Sequence, residues 1–250
     1  RFVKKIKLND IKIAFKILSW FIFFNIYCYC KRYMELNLFV YVLLIFCIPY
    51  LLYSNIRIKP RKGFSILFIS IISSVILLNF SILTIISVLL LASTLVIENK
   101  KIHPYFYGTS FAFLNYEILE KLSLSIFDFV INYLFPISLV SGVFASMMIG
   151  HWFLVDPTIS KDGMKKIAIT STIQSLILTP LVFFEFIGQD IERIFKNVIL
   201  ILFLSTAILS FASYKSLGEK SYTGVMASTG LSYLSLIVSL GATGGLLLLT

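Results

Sequence analysis

The apolar positions of this chain neither alternate nor keep to one helical face. They come as long unbroken runs, separated by short clusters of lysine, arginine and turn-forming residues. A run apolar on all sides and about 20 residues long suits a helix in lipid, whereas a strand crossing a bilayer alternates outward and inward residues. Such runs place candidate spans at residues 11–30, 36–55, 128–155, 164–187, 195–214 and 222–250. Gly63 to Ile97 carries no charge. As one straight helix it would measure about 52 Å, against a hydrocarbon core of about 30 Å. Two short helices, 63–79 and 81–97, turning at Asn79-Phe80-Ser81, fit better. The pattern thus predicts an all-α, polytopic transmembrane helix bundle of about eight spans, or about seven if 63–97 is one, in a single integral membrane domain. The longest connection, residues 98–127, carries Tyr105, Phe106, Tyr107, Phe111 and Phe113 in a stretch too short to span. It reads as a segment lying at the membrane surface.

The run from Asp128 to Pro157 organises the rest. Ser138, Gly142, Ser146 and Gly150 recur every fourth residue, which on a helix makes one nearly straight stripe of small side chains. In lipid such a stripe lets a neighbouring backbone approach closely, so this helix belongs inside a bundle. Pro136 predicts a bend near its start and Pro180 a kink in the next helix. The last run has Gly224, Ser228 and Ser232 at four-residue steps, then Gly241 and Gly245 as a G-x-x-x-G packing face towards the organising helix or another subunit.

Composition agrees: 58% of the residues are hydrophobic and 14% charged, too few for a water-facing surface. Mean hydropathy is +0.94. The net charge of +10 sits in short loops, which points to topology and anionic headgroups as partners and away from nucleic acid. Over seven or eight spans, the loops on the N-terminal side hold about twice the lysine and arginine of the others, which predicts a cytoplasmic N-terminus. Lys12 and Lys16 sit inside the first run, where long side chains can snorkel to the headgroups. Cys28, Cys30 and Cys47 lie within apolar runs without C-x-x-C spacing and read as reduced core residues.

Few groups offer chemistry. His151, beside Trp152 at the end of the organising run, has two readings: a haem, metal or quinone ligand or proton relay, or an interfacial histidine next to an interfacial tryptophan. A haem held by this chain alone is not expected. The other histidine, His103, precedes the organising helix, and Asp128 to His151 is a rise of about 35 Å. Met147 and Met148 share a helix with His151 and make poor second ligands. Glu185 is the acid placed deepest among apolar residues, either a functional intramembrane group or an interface acid paired with Arg193 or a headgroup. Asp128 and Asn132, one turn apart, are expected in the same leaflet and could complete a polar pocket with it. Thr170, Ser171, Thr172, Gln174 and Ser175 either bond across helices or line a wet cavity near His151. Phosphate-cradling glycine loops, H-E-x-x-H, G-x-S-x-G and Cys/His metal clusters are missing from the sequence.

Gly150-His-Trp-Phe-Leu-Val-Asp-Pro157, with Thr229-Gly-Leu-Ser-Tyr-Leu234, resembles a family of uncharacterised bacterial multi-pass membrane proteins. That family carries a G-H-W-Y-L-type helix end and an A-T-G-x-L-Y-type final helix, where this chain has Phe153 for the tyrosine and Ser228 for the alanine. The likeness covers the C-terminal half. It implies a polytopic protein of the bacterial inner membrane and supplies no activity. Three functions stay open. The first is a non-catalytic subunit of a larger membrane complex, respiratory and quinone- or haem-associated in its finest form. The second is a transporter using Glu185 and the polar stripe. The third is a membrane enzyme acting on lipid or quinone with His151 as base.

Overall fold

The computed structural model describes residues 31–57, 62–97, 101–189, 191–219 and 221–249. The basic start, the span at 11–30 with Lys12 and Lys16, Cys28, Cys30, and the loop residues Lys59 and Arg61 lie outside them. Among the described residues the fold is all-α, with eight helices: α1 Lys31–Arg57, α2 Lys62–Leu78, α3 Ile82–Ser93, α4 His103–Leu122, α5 Ile126–Val155, α6 Asp162–Phe183, α7 Arg193–Ser216 and α8 Tyr222–Leu249.

Only four of these, α5 to α8, are long and apolar enough to cross a membrane. This corrects the expectation of about eight (or seven) spans. Residues 63–97 do split, with the break at residues 79–81, but α2 is 17 residues long and α3 only 12, or about 18 Å for the latter. In α1 the apolar stretch among the described residues is Val40–Leu51. Breaking an overlong apolar run gives two helices that are each too short, where about 20 residues are needed. The loop count behind a cytoplasmic N-terminus depends on seven or eight spans and does not hold for four. Residues 98–127 are not a loop, because most of them form α4, a 20-residue helix of low hydrophobicity.

The chain divides into two compact units, one of residues 1–45 and 61–114, the other of 46–60 and 115–250. In the first, α2 and α3 pack together across the break. Ser81 caps α3 by accepting the Thr84 N–H at 3.0 Å, and Asn79 Nδ2 donates to both Tyr41 OH and Thr84 Oγ1 at 3.2 Å. The polar residues that interrupt the run therefore satisfy the backbone and each other where the chain turns. Further on, His103 Nε2 lies 2.8 Å from the Ile97 carbonyl, at the start of α4.

In the second unit α5, α6, α7 and α8 form a ring in chain order, closed by α8 against α5. The short connections force neighbouring helices to run antiparallel, as in an up-down-up-down bundle. On the outside, α6, α7 and α8 present large apolar side chains such as Ile173, Leu176, Ile201, Ile208 and Ile237, as lipid requires. An aliphatic cluster fills one end, with Leu139, Leu178, Val182, Ile199, Phe203 and Leu246 at its centre. The bend expected from Pro136 takes the form of a π-helical stretch, Phe129–Leu134, just before it. There the Phe135 N–H bonds to Val130, five residues back. Pro136 has no N–H for the ordinary bond to Asn132, and the wider turn makes room for its ring.

Candidate functional site

The small-residue stripe on α5 turns inward along its length. Gly142 is so close to α6 that a Cβ there would lie 2.9 Å from Ser171 Oγ and 2.9 Å from Tyr50 Cζ. At Gly150 a Cβ would stand 2.5 Å from Thr229 Oγ1 and 3.0 Å from Met164 Cε. Ser146 Oγ lies 3.4 Å from Ser232 Oγ on α8. Ser138 Oγ accepts from Gln174 Nε2 at 3.0 Å and donates to the Phe135 carbonyl. Gln174 also accepts from Tyr50 OH at 2.9 Å, so the end of α1, α6 and α5 are joined by one chain of hydrogen bonds.

Beside this stripe lies a seam that sequence reading half saw. It singled out Ser228 and Ser232 on α8 but passed over their partners on α7. Ser213 Oγ is 2.7 Å from Ser228 Oγ and 3.3 Å from Ser232 Oγ, and Ser210 Oγ is 3.0 Å from Ser235 Oγ. Ser175 Oγ donates to the Phe203 carbonyl at 2.6 Å, tying α6 to α7. The missed signal was present: Thr206, Ser210 and Ser213 repeat at helical spacing and are buried in an otherwise apolar helix. Ser146, Ser171, Ser210, Ser213 and Ser232, with Val143 and Ala168, line a cavity with room for about one water molecule.

The charged candidates stand at the helix ends. α6 stops at Phe183, so Glu185 lies beyond it. The Glu185 N–H bonds to the Val182 carbonyl and the Phe186 N–H to the Leu181 carbonyl, the two bonds that close a helix through a left-handed residue. Glu185 takes that place with φ +64°, where glycine is the usual occupant. It is exposed, and its Oε1 accepts from Lys196 Nζ at 2.6 Å. The hydrogen bond and the positive charge of Lys196 hold its carboxyl below the usual range. Its partner is Lys196 rather than the Arg193 considered from sequence.

Asp128 is likewise occupied. Its N–H bonds to Ser125 Oγ and its Oδ2 accepts from the same hydroxyl at 2.6 Å, a capping arrangement at the start of α5. Asn132 is half-buried in the π-helical stretch. Asp128 and Glu185 thus have separate partners. At the far end of α5, His151 is exposed, while Trp152 is half-buried with its Nε1 unpaired among the described residues. At Gly241 and Gly245 an added Cβ would meet α7 at ordinary contact, 3.6 Å from Leu202 and Ile199 side-chain carbons. Among the described residues no group of His, Cys, Asp and Glu is placed to hold a metal ion. Comparison with protein-family models, curated proteins and solved structures finds no match, so the functional reading rests on the geometry alone.

Proposed function

We propose that this multi-spanning, all-α membrane protein serves as a non-catalytic subunit of a larger membrane complex. The observation that carries the reading is the distribution of polar groups in α5–α8. Every charged or histidine side chain of these helices lies within about a turn and a half of a helix end. Their interior holds neutral hydroxyls bonded to one another and to backbone, which join helices and supply no acid, base or ligand set. On the outside, α8 leaves Gly230 and Gly244 with open space where a Cβ would be. A glycine facing lipid gains nothing, whereas one facing another helix permits close approach. The transporter reading has less support, because Glu185 lies beyond the end of α6 and its carboxylate is paired with Lys196.

The bacterial inner-membrane setting rests on the resemblance carried by Gly150–Pro157. Sidedness can be read again from the connections between the four spans. Lys161, Lys165, Lys166 and Lys215 lie at the His151 end, and Arg193 and Lys196 at the other, which turns the His151 end to the cytoplasm. The test is purification of the full chain in a mild detergent, with mass spectrometry of co-purifying chains and a visible spectrum. Stoichiometric membrane partners are expected. A lone monomer with no partner overturns the subunit reading, and a Soret band would bring haem back to His151.

A further inference from the structure

The cavity among the serines has one feature that helix packing does not account for. Ser171 is 1% exposed and among the described residues its Oγ has no hydrogen-bond partner, although it lines a space shared with four other hydroxyls. Its neighbours on α6, Thr170, Thr172 and Ser175, each donate to a carbonyl, on their own helix or on α7. A buried hydroxyl left unmatched costs free energy that an apolar side chain of the same size would not. Ser171 sits about 14 Å along α6 from its start, near the middle of a hydrocarbon core about 30 Å thick. Lipid cannot satisfy it there.

We propose that this cavity binds one water molecule, held by Ser171 on α6 together with Ser146 on α5, Ser232 on α8 and either Ser210 or Ser213 on α7. The space open to a water-sized sphere is about 10 Å³, about what one water needs. A buried water needs two to four polar partners that between them both give and accept, and hydroxyls do both. Ser146 has spare capacity, since its closest partner, Ser232 Oγ, is 3.4 Å away. No carboxylate lines the cavity, so a bare metal cation would be left at mid-membrane without a counter-charge, which is costly. The water would join all four spans at one point, because its partners come from α5, α6, α7 and α8. The site is independent of the subunit reading.

The test turns on a sign. If the cavity is dry, Ser171→Ala removes an unmatched hydroxyl and leaves the protein as stable or more so. If a water is bound, the same change strips it of a partner and lowers the thermal midpoint of the full chain, by about 2–4 °C for a chain of this size. Ser171→Thr, which keeps the hydroxyl, should avoid most of that loss. Water-edited solid-state NMR of the protein in phosphatidylcholine vesicles gives a second readout. Water protons should reach Ser210 and Ser213 well before Leu178 and Phe203, and Ser171→Ala should slow that transfer several-fold. An unchanged or raised midpoint, or serines as dry as Phe203 in the unmutated protein, overturns the proposal. So does a midpoint that depends on sodium against potassium, which would make the ligand a cation.

Discussion

Two halves of the α5–α8 ring hold together in different ways. Towards the Glu185 end, Leu139, Leu178, Val182, Ile199, Phe203 and Leu246 interlock. Towards the His151 end, Ser146, Ser210, Ser213, Ser228, Ser232 and Ser235 meet in pairs, and Gly150 lets α5 close on Thr229 and Met164. In water the first half would be a core and the second a weakness. In lipid, apolar surface gains little by leaving one hydrocarbon for another, so shape fit, close backbone approach and interhelical hydrogen bonds do the holding. The comparison teaches that hydroxyl content does not mark the weaker half here. The aliphatic half relies on bulk and the other on proximity.

The largest expected effect tests bulk. Phe203→Ala empties a site with no exposure, and a loss of about 3–5 kcal/mol in detergent unfolding is expected. A loss below about 1 kcal/mol would show that the aliphatic end is loosely packed after all. Proximity comes next. Gly150→Ala drives a Cβ to 2.5 Å from Thr229 Oγ1, with an expected cost of about 1–3 kcal/mol. Gly245→Ala in the other half meets only Ile199 at 3.6 Å and should stay within about 0.5 kcal/mol. Equal effects at these two glycines would erase the distinction between the halves. A smaller change is expected for Ser213→Ala, about 0.6 kcal/mol, because it removes the links of Ser213 to Ser228 and Ser232 but leaves the Ser210–Ser235 pair joining α7 to α8.

The smallest effect lies outside both halves, at Glu185. Its carboxyl is held low by Lys196, so the pair adds stability above the ordinary carboxylate range, and that contribution fades as pH falls through the lowered value. The side chain is exposed, and the loss should be slight. Lys196→Met should return the Glu185 titration, followed by carboxyl carbon NMR, to the ordinary range. Glu185→Gly loses the ion pair but relieves the left-handed backbone, so its thermal midpoint should match or exceed that of Glu185→Ala, which keeps the strain. The opposite order would mean that something other than backbone strain sets this position.

Much of the fold is legible from the residues. The runs at 128–155, 164–187, 195–214 and 222–250 correspond to α5 to α8 within a few residues, because nothing but a helix satisfies so long an apolar backbone in lipid. Asn79-Phe80-Ser81 marks the break between α2 and α3. The spans at 63–79 and 81–97 are misread from sequence because freedom from charge does not guarantee spanning length, and α2 and α3 divide one run into pieces too short to cross. The helix closes before Glu185 although the apolar run continues through Phe186 and Ile187; a left-handed residue that is not glycine leaves no mark in the pattern. Its true partner, Lys196, sits one turn beyond the expected Arg193, a choice that the path of that turn decides.

The wide turn before Pro136 has a practical consequence for anyone mapping this protein residue by residue. Five-back bonding over Phe129–Leu134 inserts a surplus residue into α5, and a surplus residue shifts angular phase by about 100°. Labels attached upstream of it, at Asp128 or Val130, will therefore report an azimuth roughly a quarter-turn away from the one extrapolated from Ser138, Gly142 and Ser146. A cysteine scan across α5 should show its periodicity slip once, at this place, and deleting a single residue there should bring the two series back into step.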